Sequence, residues 1–322
     1  MWMEVFIVAK KEKTTDLRNT FKYQLKIDLI RNWTLWVMFL PVVIYYAIFN
    51  YAPMYGLAIA FKDYKVRKGI LGSPNVGFKH FQRFFSSFNF WDLIGNTLGI
   101  SVYSLAVGFP LAIIFAVLLH YLTTPKLKKT VQMVSYAPYF ISTVVICGMM
   151  TIFMDPTNGI FNKVLEFFGK DAVAFLSVPE YFKTIYVFSG VWQGMGWSAI
   201  IYISALAGVD QQMHEAAIID GATKLQRIRY IDLPAIQPTI VMLLIMQLGS
   251  LMNVGFEKVY LLQNDLNFMA SDIISTYTYR VGLVNSDFGY STAIGLFNTI
   301  INVIILIGSN TIARKVTGES LW

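Results

Sequence analysis

The sequence predicts an all-α protein that crosses a membrane six times. Of its 322 residues, 56% are hydrophobic and only 14% are charged, with a mean hydropathy of +0.54; a soluble domain carries about 25% charged residues. The charges are also segregated. The stretches 32–61, 93–125, 130–154, 184–209, 233–256 and 288–313 contain no Asp, Glu, Lys or Arg, and each has at least 24 residues. A hydrocarbon core needs roughly 20 helical residues to cross. A charge at mid-membrane costs about 2.5–3.5 kcal/mol on insertion scales, so the charges collect in the connections. This excludes a disordered chain, a secreted disulfide scaffold and a free-standing nucleic-acid binder.

The elements follow in order. A basic segment, 1–32, precedes a first span at about 33–51 that carries Pro41 as an expected kink. Trp33 and Trp36 mark one interface of this span, and Tyr51 and Tyr55 the other. A connection rich in turn formers (Pro53, Gly56, Gly69, Gly72, Pro74, Gly77) ends at Trp91. The second span, about 93–121, contains Pro110, whose missing hydrogen bond neighbouring helices can absorb. A short basic turn (Lys126, Lys128, Lys129) leads to the third span, about 131–153. The fourth covers about 184–206, the fifth about 235–256 with Pro238 in its first turn, and the sixth about 290–312. The tail is 313–322, and no internal repeat is present.

Six spans put both termini on one side. That side holds fifteen Lys and Arg against eleven on the other, so the termini are expected on the cytoplasmic side of the membrane. One outer connection resists the bias: Lys62, Lys65, Arg67, Lys68, Lys79 and Arg83 face only Asp63 and Asp92. Residues 1–31 do not read as a cleavable signal, because the apolar stretch after them is too long and lacks a small-residue cleavage site.

Catalytic machinery is not expected. The only cysteine, Cys147, lies in an apolar span, which excludes a disulfide framework or thiolate metal site within the chain. His80, His120 and His214 are far apart in sequence without ligand spacing, so no metal site is expected. Gly169-Lys170 lacks the upstream glycine and the hydroxyl residue of a phosphate-binding loop, so the chain itself hydrolyses no nucleotide by that route.

The connection 207–234 reads AGVDQQMHEAAIIDGATKLQRIRYIDLP. Asp210 is a plausible N-cap for a first short helix, and 223–231 places Leu225, Ile228 and Ile231 three residues apart on a second. Gly221 can take the positive φ that separates them, and Pro234 is expected to end the second helix before the fifth span. Composition alone also suits an amphipathic helix that merely anchors a loop. The full string says more. Glu215-Ala216-Ala217, Gly221 and Ile231-x-Leu233-Pro234 resemble the EAA signature of the membrane subunits of binding-protein-dependent ABC importers. A second, softer likeness runs through Pro53-Met54-Tyr55-Gly56, Phe61-Lys62-Asp63-Tyr64 and Val76-Gly77-Phe78. It resembles sugar and oligosaccharide permeases of the LplB type.

The resemblance implies a type I importer (MetI-like) transmembrane fold with one extra N-terminal helix: a first helix and basic outer loop over 33–92, then the shared core over 93–312. It implies a coupling helix that docks in a cytoplasmic ATPase dimer, with Glu215 paired to a basic residue there and Ala216 and Ala217 allowing close seating. ATP and magnesium would be bound by that ATPase, and this chain would need no cofactor. The other implied partners are a second homologous permease subunit, an extracytoplasmic solute-binding protein, the lipid bilayer and an oligosaccharide; no nucleic acid is implied.

Polar residues at helical spacing mark candidates for the solute path. Gln247, Ser250 and Asn253 recur every three residues in the fifth span, and Asn298 and Asn302 lie on one face of the sixth. The fourth offers Trp192, Gln193 and Trp197. Aromatic rings for pyranose faces beside amide donors suit an oligosaccharide, but the same amides serve equally well as interhelical hydrogen bonds. The basic outer residues Lys62, Lys65, Arg67 and Lys68 suit attraction of an acidic, alginate-like uronate, and equally an ordinary solvated loop. An ion-coupled secondary transporter would bury ionisable residues at midplane, and the six spans have none. Within the importer class, a peptide, amino acid or lipid head group remains an alternative solute.

Overall fold

A computed structural model describes residues 21–322; most of the basic N-terminal segment lies outside the described residues. The chain forms two compact units, the first ending at Ala58 and the second spanning Ile59–Trp322. Among the described residues there is no strand, only an isolated bridge between Lys62 and Asn75. The first unit holds α1 (Phe21–Arg31) and most of α2 (Trp33–Phe61). Helix α2 is α-helical to Tyr46, passes through a π turn at Ala47–Tyr51 and ends in a 3-10 stretch at Tyr55–Phe61. None of its residues from Trp33 to Tyr51 is buried, as suits a helix whose apolar side chains meet lipid.

The second unit contains α3 (Lys79–Phe85), α4 (Phe90–His120), α5 (Pro125–Tyr136), α6 (Thr143–Phe153) and α7 (Pro179–Ala207). It continues with α8 (Gln211–Ile219), α9 (Lys224–Leu248), α10 (Phe256–Leu262), α11 (Ile274–Tyr279) and α12 (Phe288–Thr317). Helices α2, α4, α9 and α12 are each long and apolar enough to cross a membrane, and the bent pair α5–α6, taken as one span, is apolar enough for a fifth. Helix α7 has 29 residues, about 43 Å of rise; its glycines, Gln193 and two tryptophans make it less apolar. Its length suits the fourth of the six spans read from the sequence.

Packing centres on α4. Ile100 meets Ile146, Phe182 and Val259 of α6, α7 and α10, and Leu93 meets Phe84, Ile274 and Tyr290 of α3, α11 and α12. At the other end Ala112 and Ala116 meet Ala199 and Tyr202 of α7 and Ile236 of α9. Small residues set the closest approaches, because without a hydrophobic force between helices in lipid the packing itself holds them. Gly196 is the sharpest case: a Cβ there would run into the Ser135 backbone oxygen of α5.

Three expectations need correction. The third span is not one straight helix; α5 and α6 are bent by 99°. Pro138 sits in a 3-10 turn at Ala137–Phe140, and Ser142 then caps α6 by accepting the Val145 N–H. Pro234 does not separate the 223–231 helix from the fifth span. Helix α9 runs through it, because in a π turn at Ile228–Asp232 the Leu233 N–H reaches back to the Ile228 carbonyl, and the widened turn takes the proline without a broken bond. Finally, the fifth span ends at Leu248 rather than 256, and 249–255 is not helical. There Asn302 of α12 accepts the Met252 N–H at 2.9 Å, satisfying backbone that the helix no longer serves.

The α5–α7 contact yields a test. Gly196→Val should lower the melting temperature of the purified protein by several degrees, since overpacking costs about 1–3 kcal/mol. Gly194→Ala, with nothing within 4 Å of its new Cβ, should leave it unchanged; equal melting of the two variants would refute the close crossing.

Candidate functional site

The connection after α7 folds as a short exposed helix held at its base. Asp210 caps α8 by accepting the Gln212 N–H at 2.9 Å. Glu215 and Ala216 are exposed and Ala217 is half-buried. Gly221 has φ +78°, the left-handed turn expected of it. Thr223 and Gln226 then form a reciprocal capping box that starts α9. Met213, Ile218, Ile219, Leu225 and Tyr230 are exposed around this turn. An apolar patch of this kind beside a small-residue face marks an interaction surface.

At the base lies a junction that the sequence reading missed. Asp232 is fully buried; Tyr121, just past α4, donates to its Oδ2 at 2.6 Å, and His214 Nε2 of α8 stands 3.2 Å from its Oδ1. The second approach is too oblique for a hydrogen bond, so it becomes an ion pair only when the imidazole carries its second proton. The ring of His120 lies 6.3 Å from that of His214, and these two histidines and Asp232 present atoms within 4.8 Å of one another. The expectation of scattered histidines is therefore corrected for two of the three. His80 lies apart, with Nε2 3.0 Å from the Lys62 carbonyl. The trio joins the ends of α4, α8 and α9. The available signal was a carboxylate, Asp232, at the mouth of an apolar span.

The second feature is a cleft of about 780 Å³ walled by α4, α7, α9 and α10. Of the predicted path residues it contains Gln193, Trp197 and Gln247. Trp197 is stacked on Tyr139 with ring centroids 4.5 Å apart and planes 3° from parallel, so its ring is held rigidly. Gln193 donates to the Ile141 carbonyl at 3.1 Å, which leaves its own oxygen uncommitted. Gln247 also lines an adjoining recess of about 220 Å³ with Ser250 and Asn253, and the two spaces share Ser104, Tyr186 and Gly255.

Other candidates are placed differently. Trp192 lines a separate apolar pocket of about 640 Å³ with Met149, Phe153 and Phe188. Ser250 and Asn253 lie beyond the end of α9, so they do not share a helical face with Gln247. Asn298 and Asn302 both donate to Asn253 Oδ1, at 2.9 and 3.1 Å, and Asn302 is buried. Their observed work is to brace the non-helical segment. Among the basic residues, Lys62 is spent on the Ile70 carbonyl at 2.8 Å, whereas Lys65, Arg67 and Lys68 are exposed. Sequence reasoning also passed over Lys258 of α10, which is buried in the wall of the large cleft.

A polytopic bundle with an exposed EAA helix riveted to its core defines a membrane component of a transport system. Residues 108–318 match the family of binding-protein-dependent transport system inner membrane components, and the chain belongs to that family. It is 39% identical over 316 residues to the polygalacturonan/rhamnogalacturonan transport system permease protein YteP of Bacillus subtilis (strain 168), covering 98% of this chain and 96% of that one. It is 38% identical over 294 residues to protein LplB of the same organism, covering 91% and 92%. A crystal structure of a bacterial alginate ABC transporter, in complex with an alginate pentasaccharide-bound periplasmic protein, superposes with a TM-score of 0.85 at 38% identity, over 92% of this chain and 100% of the matched one. The expected LplB-type likeness and importer fold hold across the chain, and the protein is a membrane permease.

The junction can be tested directly. Asp232→Ala would take away the acceptor of the Tyr121 hydroxyl, at a cost of about 1–3 kcal/mol for a buried polar group left unpaired, and the carboxylate that His214 stands against. Hydrogen exchange across Gln211–Ile219 should rise well above that of the native protein. Unchanged exchange there would show that Asp232 does not hold α8.

Proposed function

We propose that this chain is one transmembrane half of an ATP-driven importer that carries acidic oligosaccharides into the bacterial cytoplasm. The observation that carries this reading is the exposed Glu215-Ala216 face of α8, seated by a buried carboxylate on the ends of α4 and α9. In this reading a cytoplasmic ABC ATPase dimer, which binds ATP and magnesium, grips α8; Glu215 pairs with a basic residue and Ala216 and Ala217 let the surfaces close. Closure of that dimer moves α8, the junction passes the motion to α4 and α9, and the cleft changes the side to which it opens. The chain itself performs no hydrolysis. Its termini face the cytoplasm, a second homologous permease completes the pore, and an extracytoplasmic binding protein delivers the solute.

Cargo is read from chemistry. Gln193, Trp197, Gln247, Ser250 and Asn253 offer a rigid aromatic face and amide and hydroxyl groups to a sugar. The exposed Lys65, Arg67 and Lys68 favour an acidic chain or an acidic rim on the delivering protein. The relatives named for polygalacturonan/rhamnogalacturonan and alginate support an acidic polymer fragment.

Two measurements test the reading. Glu215→Lys should reduce uptake of a uronate oligosaccharide at least tenfold while the protein still inserts; normal uptake would remove α8 as the point of coupling. Charge reversal at Lys65, Arg67 and Lys68 should slow uptake more at low salt than at high salt, because exposed charges are screened within about 8 Å at physiological ionic strength. A salt-independent effect would argue against steering.

A further inference from the structure

We infer that Lys258 forms a carboxylate-binding subsite in the large cleft, its ammonium pairing with a uronate group of the passing chain; this rests on the acidic-oligosaccharide reading above. Lys258 is 7% exposed, in the first turn of α10. Its Nζ donates to the Tyr186 carbonyl at 2.9 Å and lies 4.7 Å from the centre of the Tyr186 ring. That is its only side-chain hydrogen bond among the described residues, so two of its three N–H donors remain unspent.

No carboxylate answers the charge. The ion pairs among the described residues are Arg83–Asp287 and Arg280–Asp272, with His214 standing 3.2 Å from Asp232, and Lys258 is in none of these contacts. A buried, unpaired ammonium is costly, and a ligand that brings the missing charge gains what the empty site forgoes. The surroundings fit such a ligand. Tyr186 and Gly190, which flank Nζ, both line the cleft together with Gln193, Trp197 and Gln247. At Gly190 a Cβ would lie 3.4 Å from Nζ, so the glycine keeps that wall thin beside the ammonium. Rings and amides address the pyranose and its hydroxyls, and Lys258 addresses the acid.

Glu257, the next residue back, is exposed and borders the same cleft. Its carboxylate repels a uronate while accepting sugar hydroxyls, which limits how long the chain dwells beside Lys258. A transport path requires that balance, because a site must bind well enough to admit the solute and weakly enough to release it. A neutral glycan leaves the lysine uncompensated, and discrimination follows from that difference.

The test uses the assembled transporter in proteoliposomes, with a tetrameric uronate delivered by the loaded binding protein. Lys258→Met should cut uptake at least tenfold while the loaded binding protein still stimulates ATP hydrolysis, and Lys258→Arg should restore most of the uptake. In a Cys147→Ser background, which removes the only cysteine, Lys258→Cys should react with a small anionic thiol reagent and be protected by the uronate. Uptake within twofold of the native level in Lys258→Met, equal loss in Lys258→Met and Lys258→Arg, or labelling that the uronate does not slow would each overturn the subsite. Failure of the unaltered transporter to take up any uronate would instead overturn the cargo reading, and with it this inference.

Discussion

Asp232 has no access to solvent, and its carboxylate sits where α4, α8 and α9 converge. A carboxylate in that position carries a desolvation penalty of several kcal/mol unless its oxygens are answered. Tyr121 answers one, and His214 stands against the other. Separating the three ends would break the Tyr121 hydrogen bond and the His214–Asp232 approach together. This matters because α8 has only nine residues, and isolated helices shorter than about 12–15 residues are marginal in water. The Asp210 cap and the rivet beneath it make a fragment of helix into a rigid body. In the proposed importer, that rigidity lets a push from outside the membrane arrive inside it as motion of long helices rather than as local fraying.

The cleft depends on an opposite device, a loss of helix. Backbone that leaves a helix at membrane depth needs new partners, and it is tolerated where it lines a cavity. Residues 249–255 meet that condition: Asn302 holds the Met252 amide, Asn253 receives both Asn298 and Asn302, and the segment faces the recess beside Gln247. Some of the polar side chains that look like solute ligands in the sequence are thus engaged in bracing this segment. Gln247 and Gln193 are different, since both line the large cleft and neither is used up by the fold.

How much of this was legible follows from what each signal reports. Long charge-free runs report the cost of charge in hydrocarbon, so the helices of the bundle could be read directly. The EAA string could be read because seven positions at fixed spacing leave little room for coincidence, and Gly221 because a left-handed turn has few other tenants. The bend between α5 and α6 and the early end of α9 were hidden, because apolar composition persists across both breaks while the hydrogen bonds that permit them come from distant residues. Asn302 is 50 residues from the amide it holds. The Asp232 junction was hidden for the same reason: its partners Tyr121 and His214 are brought together only by the crossing of α4 and α8.

The charges near the span ends show a common rule and one departure from it. Asp232 is met by Tyr121 and His214, and the buried Asp272 is held by Arg280, at 2.6 and 3.2 Å, with Thr276 donating to it at 2.8 Å. Each of these carboxylates is met by side chains of other parts of the chain. Lys258 is buried to a similar degree but is met only by a backbone carbonyl and the face of a ring. Folding alone would favour an apolar residue there, as buried charges generally contribute less than well-packed apolar groups of similar volume. The fold can give a buried charge its counter-ion, as Arg280 does for Asp272. Lys258, in the wall of the large cleft, is left without one, which is what the inferred subsite requires if the neutralising group arrives with the solute.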